Sequence, residues 1–227
     1  GEIPVFYFCY DADAGIIKDS FEMGDTMSIE HCILPEHYRS LLNQKETQMA
    51  IKLVKDTFER KLADNLRLIR VSAPLFVEAT SGLNDNLNGV ERPVHFDVKE
   101  TKTEAEIVHS LAKWKRLALK QYDFDPGEGL YTDMNAIRRD EDLDNLHSIY
   151  VDQWDWEKII LRPQRTLEQL EETVRLIVRS LKETDEVLCA NVPQITPIIE
   201  EKVKFITAQQ LLDRYPSLTA KQREDAI

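Results

Sequence analysis

Apolar and polar positions recur with two periods along the chain, and these periods predict the order of helices and strands. After Asn43, apolar residues recur at helical spacing through Leu62, and Asn43 and Glu46 have the spacing of a capping box. Alternating or short apolar runs bounded by turn residues predict strands. In chain order, the predicted segments after this first helix are strands at 68–73, 93–98 and 105–108, a helix at 110–121, and strands at 130–138 and 147–156.

The last quarter of the chain is predicted to be helical. Thr166, Thr207 and Thr219 are each followed three residues later by Gln, a spacing that predicts three N-caps. The first of these helices has an apolar stripe made of Leu170, Val174, Ile177, Leu181 and Leu188. Strands and helices do not alternate as in a doubly wound fold, so the pattern favours an α+β fold with a mainly antiparallel sheet flanked by helices.

The two ends of the chain differ from its middle. Residues 1–26 are first aromatic and apolar and then acidic, and Met27 would be a plausible initiator. We therefore expect residues 1–26 to be an extension, with a natural N-terminal strand as the alternative. At the other end a newly capped helix stops at Ile227 without a Gly, Asn or Pro stop signal. The sequence thus predicts a domain over residues 27–227 that is C-terminally incomplete.

Composition excludes several classes of protein. The net charge of -12 disfavours nucleic acid and anionic membranes as partners. Glycine is scarce, with 7 residues in 227, and neither a dinucleotide-binding fingerprint nor a P-loop is present. The longest apolar run, Ile3 to Tyr10, is too short to cross a bilayer, and the three cysteines form no zinc motif. We expect a cytoplasmic protein whose residues hold no metal ion directly.

Candidate chemistry lies on the two long predicted strands. Period-2 alternation places Gln153 and Asp155 on one face, where an amide and a carboxylate could bind the charged groups of an amino acid. Arg138, at the end of the facing strand, could bind a phosphate through two hydrogen bonds. Judged from spacing alone, the simpler explanation of these polar residues is a solvated strand face on which Arg138 pairs with a neighbouring acid.

Longer motifs resemble known families and favour a substrate-binding site over a solvated polar face. An Arg closely followed by Glu in a loop between antiparallel strands, as in Arg138 to Glu141, resembles the second signature of class II aminoacyl-tRNA synthetases. Within that class, four segments resemble ammonia-dependent asparagine synthetase (aspartate–ammonia ligase), and the resemblance runs from about Met27 to Ile227. The four segments are SGLNDNLNG at 81–89, VHSLAKWKR at 108–116, EGLYT at 128–132 and the stretch from Arg138 to Glu157.

The resemblance implies a reaction and a set of roles. The family makes L-asparagine from L-aspartate, ammonia and ATP through a β-aspartyl-adenylate, releasing AMP and pyrophosphate. By resemblance, the residues that bind aspartate are Asp85, Lys115, Gln153 and Asp155, and those that bind ATP are Arg138 and Glu141. Arg138, Lys115 and Gln153 are the expected catalytic residues. The resemblance also implies Mg²⁺ with ATP, and a homodimer.

Two departures and two alternatives remain open. Arg139 adjoins Arg138 and could take the phosphate role instead. The chain resembles the first three-fifths of the enzyme, so residues 1–227 alone are expected to be inactive. One alternative is an aspartyl- or asparaginyl-tRNA synthetase domain, which normally has an anticodon-binding barrel that the 42 residues before the first helix cannot form. The other is a non-catalytic class II-like dimerisation or regulatory protein.

Overall fold

The computed structural model describes residue 33, residues 35–85 and residues 87–227. The predictions about residues 1–26 and Met27 therefore lie outside the described residues. The helices and strands are, in chain order, α1 (Gln44–Leu66), β1 (Leu68–Arg70), β2 (Phe76–Glu78), β3 (His95–Asp97), β4 (Glu104–Ile107), α2 (Ala112–Gln121), β5 (Gly129–Ile137), β6 (Tyr150–Lys158), α3 (Leu167–Asn191), α4 (Ala208–Arg214) and α5 (Ala220–Glu224). None of the helices in the described part of the chain is long and apolar enough to span a membrane.

The chain divides into two units. One contains Arg67–Leu161 together with the described residues up to Asn43, and the other contains Gln44–Leu66 and Arg162–Ile227. The first unit holds all six strands and α2, and the second holds the remaining helices. We call them the sheet unit and the helical unit.

The sheet unit has two three-stranded sheets, ordered β1-β5-β6 and β2-β4-β3. The long strands β5 and β6 pair antiparallel along their whole length, from Gly129 opposite Lys158 to Ile137 opposite Tyr150. Both pairs of the second sheet are antiparallel, whereas β1 pairs parallel with β5. The predicted α+β fold with mainly antiparallel strands is confirmed.

Strand boundaries differ from the prediction in several places. The strands predicted at 68–73 and 93–98 are shorter, at Leu68–Arg70 and His95–Asp97. The second long strand begins at Tyr150 instead of residue 147 and runs on to Lys158. This shift arises because the Asp144 carboxylate accepts hydrogen bonds from the backbone N–H groups of Leu146 and His147, each 2.7 Å long, and bends the segment before the strand. The strand β2 was not predicted, since three residues are too few to show alternation.

The core of the sheet unit lies where α2 and its preceding segment cover β5. Val108 and Leu111 pack with Met134 and Ala136 of β5 and with Val151 of β6. A second cluster joins Ala118 and Leu119 of α2 to Leu130, with Trp114 in contact with both clusters. The alternate residues of β5 from Leu130 to Ala136 therefore form its buried face.

The helical unit confirms the capping predictions. Thr166, Thr207 and Thr219 each accept a hydrogen bond from the backbone N–H three residues later, and Thr207 and Thr219 form complete capping boxes. Within the unit α1 contacts α3, and Asn65 donates a 2.9 Å hydrogen bond to Ser180. The predicted apolar stripe of α3 is wrong at its first position: Leu170 is exposed, whereas the most buried residues are small or polar, namely Ser180, Thr184 and Asp185.

Candidate active site

The candidate site is assembled on the buried face of β5 and the adjacent face of β6. Thr132 lies opposite Asp155 and Met134 lies opposite Gln153 in the antiparallel register. Since opposite residues share a face, Gln153 and Asp155 lie on the side that α2 covers. Gln153 is half-buried, and its Nε2 lies 3.9 Å from the sulfur of Met134, a weak contact that leaves its amide able to bind another group.

Lys115 comes from α2 and is buried between strand residues. Only 5% of the residue is exposed. Its Nζ donates to the Asp155 carboxylate and to the backbone carbonyl of Trp156 at 2.9 Å, and lies 3.6 Å from Glu157 Oε2. An ammonium group has three N–H donors, and two of them make these hydrogen bonds while the Glu157 carboxylate lies at ion-pair distance. The structure thus brings the predicted residues Lys115 and Asp155 into one ion pair.

Glu157 is a member of this group to which the sequence analysis assigned no role. It lies on the same face as Gln153 and Asp155, and Arg116 Nε is 3.7 Å from its other carboxylate oxygen. The alternation that identified the first two residues extends to position 157, so the signal was present in the sequence. Lys115 and Arg116 together balance the charges of Asp155 and Glu157, so the group carries a compensated charge before any substrate binds.

Asp85 is positioned by its neighbour Asn84. The Asn84 side chain accepts from the backbone N–H of His109 at 2.9 Å and donates to Glu106 and to the Ile107 carbonyl. Lys113 of α2 donates to the Asn84 carbonyl at 3.1 Å. These contacts fix the loop against the start of α2. Asp85 is half-buried and forms no ion pair within the described part of the chain, so its carboxylate is available for a cationic group.

Arg138 follows β5 directly and is held by its backbone, which donates to the carbonyl of Ile149 at 2.8 Å. Its guanidinium lies 3.6 Å from Glu141, the pairing with a neighbouring acid that spacing alone favoured, and only 20% of the side chain is exposed. Its Nε is buried and has no hydrogen-bond partner among the described residues. Arg139 is exposed, so burial distinguishes the two arginines.

An ion pair joins the loops that carry Asp85 and Arg138. Arg92 donates to Asp140 from its backbone N–H at 2.8 Å and from Nε at 3.0 Å. The Arg92 side-chain hydrogen bond is the main reason why the pKa of Asp140 lies far below its ordinary 3.8, and the same bond raises the pKa of Arg92. The pair therefore stays charged, and the two loops stay joined, over the whole physiological pH range.

The comparisons with known proteins identify the family of the chain. The sequence profile of the family described as aspartate-ammonia ligase matches residues 45–227. The chain belongs to the aspartate–ammonia ligase family. It is 61% identical over 200 residues to the aspartate–ammonia ligase of Clostridium perfringens, an alignment that covers 88% of this chain and 60% of that protein. The corresponding Lactobacillus johnsonii ligase is 56% identical over 196 residues, covering 86% of this chain and 58% of the relative.

This chain therefore spans about 60% of the length of the curated ligases that it matches. A solved structure titled as an ATP phosphoribosyltransferase regulatory subunit/histidyl-tRNA synthetase from Bacillus halodurans is 12% identical, with a TM-score of 0.46 over 71% of this chain and 40% of that one. At these values the likeness says nothing further about the site. Membership of the ligase family confirms the resemblance found in the sequence.

Proposed function

We propose that the protein catalyses the ATP-dependent amidation of L-aspartate with ammonia to give L-asparagine, AMP and pyrophosphate. One observation supports this most. Gln153 and Asp155 share a face of β6, and Lys115 of α2 forms an ion pair with Asp155, in a chain that belongs to the aspartate–ammonia ligase family. A binding site for an amino acid needs both signs of charge, and this face supplies them.

In this proposal the aspartate substrate is held by complementary charges. The carboxylate of Asp85 binds the α-ammonium group, and the remaining N–H donor of Lys115 binds a carboxylate of the substrate. Gln153 and Asp155 line the same pocket, with Asp155 also keeping Lys115 charged and oriented. Because Lys115 and Arg116 balance Asp155 and Glu157, the substrate carboxylate enters a region of low net charge rather than a strongly cationic one.

Arg138 then acts on the phosphate. An oxygen of the substrate β-carboxylate attacks the α-phosphorus of ATP, the bond from this phosphorus to the bridging oxygen breaks, and pyrophosphate leaves. Arg138 stabilises the charge that builds on the α-phosphoryl oxygens, and Glu141 orients the guanidinium. Ammonia next attacks the acyl carbon, the bond to AMP breaks, and the nitrogen loses a proton to give the amide.

Magnesium would accompany ATP in this reaction, but the described residues do not by themselves offer it a site. Among them, no group of three His, Cys, Asp or Glu side chains is placed to hold a metal ion. The roles proposed for Asp85, Lys115 and Arg138 are hydrogen bonding and charge compensation and need no metal contact from these side chains.

The proposal is tested by isotope transfer in the complete gene product. With aspartate labelled with ¹⁸O in its β-carboxylate, ATP, Mg²⁺ and ammonium, we expect asparagine and AMP in equal amounts, with one label in each AMP. Aspartate-dependent exchange of pyrophosphate into ATP should occur without ammonia. Release of ADP and phosphate, or unlabelled AMP, would contradict the adenylate. Activation that requires tRNA instead of ammonia would indicate the synthetase alternative, and no aspartate-dependent ATP turnover would indicate the non-catalytic one.

The two adjacent arginines provide a matched pair of variants. Arg138→Lys keeps the charge but loses the planar fork, so the exchange rate should fall by about 10²-fold or more. Arg139→Lys changes an exposed residue next to it and should leave the rate within about twofold. Equal losses in both variants would show that Arg138 has no special contact with the phosphate.

We also propose that the protein is a cytoplasmic homodimer that does not bind nucleic acid. The net charge of -12 supports the last point, because such a surface repels phosphate backbones. Light scattering after size-exclusion chromatography measures the mass of the assembly, and a monomer at micromolar concentration would contradict the dimer.

A further inference from the structure

Asp140 lies in the loop that carries Arg138, and the proposed mechanism gives it no role. This arginine loop spans residues 138–149 between β5 and β6. It begins with a turn in which the backbone N–H of Glu141 donates to the carbonyl of Arg138 at 3.1 Å. Asp140 lies inside this turn, directly before Glu141, whose carboxylate pairs with the Arg138 guanidinium. A contact that fixes the Asp140 side chain therefore also fixes the turn that presents Arg138.

Arg92 provides that contact. Its backbone N–H donates to the Asp140 carboxylate at 2.8 Å, and its side chain donates from both Nε and Nη2, with Nε 3.0 Å from the nearer oxygen. Donors on the backbone and on the planar guanidinium together fix the direction of a carboxylate as well as its position. Because 68% of the Arg92 side chain is exposed, we expect this ion pair to contribute little stability. Its main effect is therefore on the geometry of the loop.

Arg92 is itself fixed by the second sheet. Pro93 follows it and restricts its backbone to extended conformations. The carbonyl of the next residue, Val94, accepts a 2.9 Å hydrogen bond from the backbone N–H of Ile107 at the end of β4, and β3 begins immediately afterwards. The bond from Arg92 to Asp140 therefore ties the arginine loop, which follows a strand of the first sheet, to the edge of the second sheet.

The far part of the arginine loop has a separate contact. The Asn145 side chain donates to the backbone carbonyl of Ile33 at 2.9 Å and accepts from the backbone N–H of the same residue. Asn145 lies seven residues after Arg138, however, whereas Asp140 lies two residues after it. The bond to Arg92 is therefore the better placed of the two to control the orientation of Arg138.

We propose that Arg92 is a positioning residue that fixes the turn at residues 138–141 through Asp140, so that the Arg138 guanidinium meets the α-phosphoryl group of ATP in one orientation. This inference rests on the proposed function, because it gives Arg92 a task only if Arg138 binds the nucleotide. In this role Arg92 acts through Arg138 and not on the substrate. Misplacing a reacting group by about 1 Å can cost about a hundredfold in rate, so an exposed ion pair can affect the rate while hardly affecting stability.

The test is a double-mutant cycle in the complete gene product, measured as aspartate-dependent exchange of pyrophosphate into ATP at saturating substrates. Arg92→Ala removes the guanidinium but keeps the backbone N–H. It should lower the rate by about ten- to a hundredfold, with a melting temperature within about 2 °C of wild type. Arg92→Lys keeps the charge and should recover part of the rate. In an Arg138→Lys background, Arg92→Ala should lower the rate by no more than about twofold, because the arginine that it positions is gone.

Arg70→Ala is the matched control. Arg70 also pairs with an aspartate of the sheet unit, since its Nε and Nη2 donate to the Asp133 carboxylate at 3.1 and 2.9 Å, and 52% of its side chain is exposed. This pair joins β1 to β5, outside the arginine loop. The exchange rate of Arg70→Ala should therefore stay within about twofold of wild type.

Two results would overturn the inference and leave the proposed function intact. One is an exchange rate of Arg92→Ala within about twofold of wild type. The other is an equal fold-loss from Arg92→Ala in the wild-type and Arg138→Lys backgrounds, since a purely structural contribution is independent of Arg138. If Arg92→Ala does not fold, Asp140→Asn, which keeps the shape of the side chain but loses its charge, takes its place in the same cycle with the same criteria. A wild type without aspartate-dependent exchange would instead refute the proposed function, and this inference with it.

Discussion

Replacing Lys115 by Met should destabilise the protein by about 3 kcal/mol, because it removes the cation from a buried group of acids. The Lys115 side chain is 6% exposed, whereas those of its partners Asp155 and Glu157 are 17% and 28% exposed. Methionine fills nearly the same volume, so the effect of lost packing is small. The variant therefore isolates the cost of leaving the carboxylates uncompensated.

The magnitude follows from burial. Removing one partner of a buried ion pair costs about 3–5 kcal/mol, whereas exposed pairs contribute about 0–1 kcal/mol. Glu157 keeps the neighbouring Arg116 at 3.7 Å and some contact with water, which places the expected cost at the lower end of the range. The double variant Lys115→Met/Asp155→Asn should be more stable than Lys115→Met alone, because the most buried unpaired charge is then gone as well.

Urea denaturation of the complete gene product followed by circular dichroism measures these differences. Lys52→Met is the matched control, since Lys52 pairs with Asp56 at the surface with 72% of its side chain exposed. We expect that control to lie within about 0.5 kcal/mol of the wild type. If Lys115→Met costs no more than Lys52→Met, the ion pair is not buried in solution, and the description of the site as a compensated charge cluster is wrong.

Three further predictions concern other features of the fold. Gly129→Ala would place a Cβ 2.5 Å from the backbone carbonyl of Glu157, so we expect a loss of about 1–3 kcal/mol in urea denaturation; an unchanged midpoint would contradict the register of β5 and β6. Because the pKa of His109 is lowered in the folded state, the unfolded chain binds more protons, and stability should fall as the pH drops below about 6.5, by up to about 1.4 kcal/mol per pH unit; His109→Leu should remove this component of the pH dependence. Asp185→Ala removes the acceptor for the N–H groups of Ile198 and Ile199, at 2.7 and 2.9 Å, and amide exchange at these two positions should become faster than in wild type.

Local signals in the sequence predicted the local structure. The threonine caps of α3, α4 and α5 depend on residues three positions apart, and such short-range hydrogen bonds form whatever the surrounding fold. The strand at 130–138 was predicted within one residue of β5, because nine residues give alternation enough repeats to be seen. A three-residue strand gives one repeat at most: β1 and β3 were predicted, but as longer strands at 68–73 and 93–98, and β2 was not identified.

The pairing of strands that are distant in the sequence could not be predicted from the pattern of apolar and polar residues. The parallel pairing of β1 with β5 joins Leu68 to Gly129, and no feature of either segment specifies a partner about sixty residues away. The acidic loop shows that alternation can also mislead, because residues 147–149 alternate like a strand and yet lie outside β6, where Asp144 accepts hydrogen bonds from the backbone N–H groups of Leu146 and His147. A competing side-chain hydrogen bond overrides alternation at such a position.

The site residues also divide into those that local sequence signals indicate and those that depend on long-range packing. Resemblance indicated Lys115 and Asp155 individually, but their ion pair depends on how α2 packs on β6 and is a property of the fold. Alternation alone would have extended the set to Glu157, since periodicity needs no tertiary information. His109 is the reverse case: its position at the start of a helix resembles an ordinary cap, and only the fold shows that its side chain is fully buried. The properties hardest to predict from sequence are therefore those that distant segments create, because a sequence pattern records what a side chain can do and the fold decides what surrounds it.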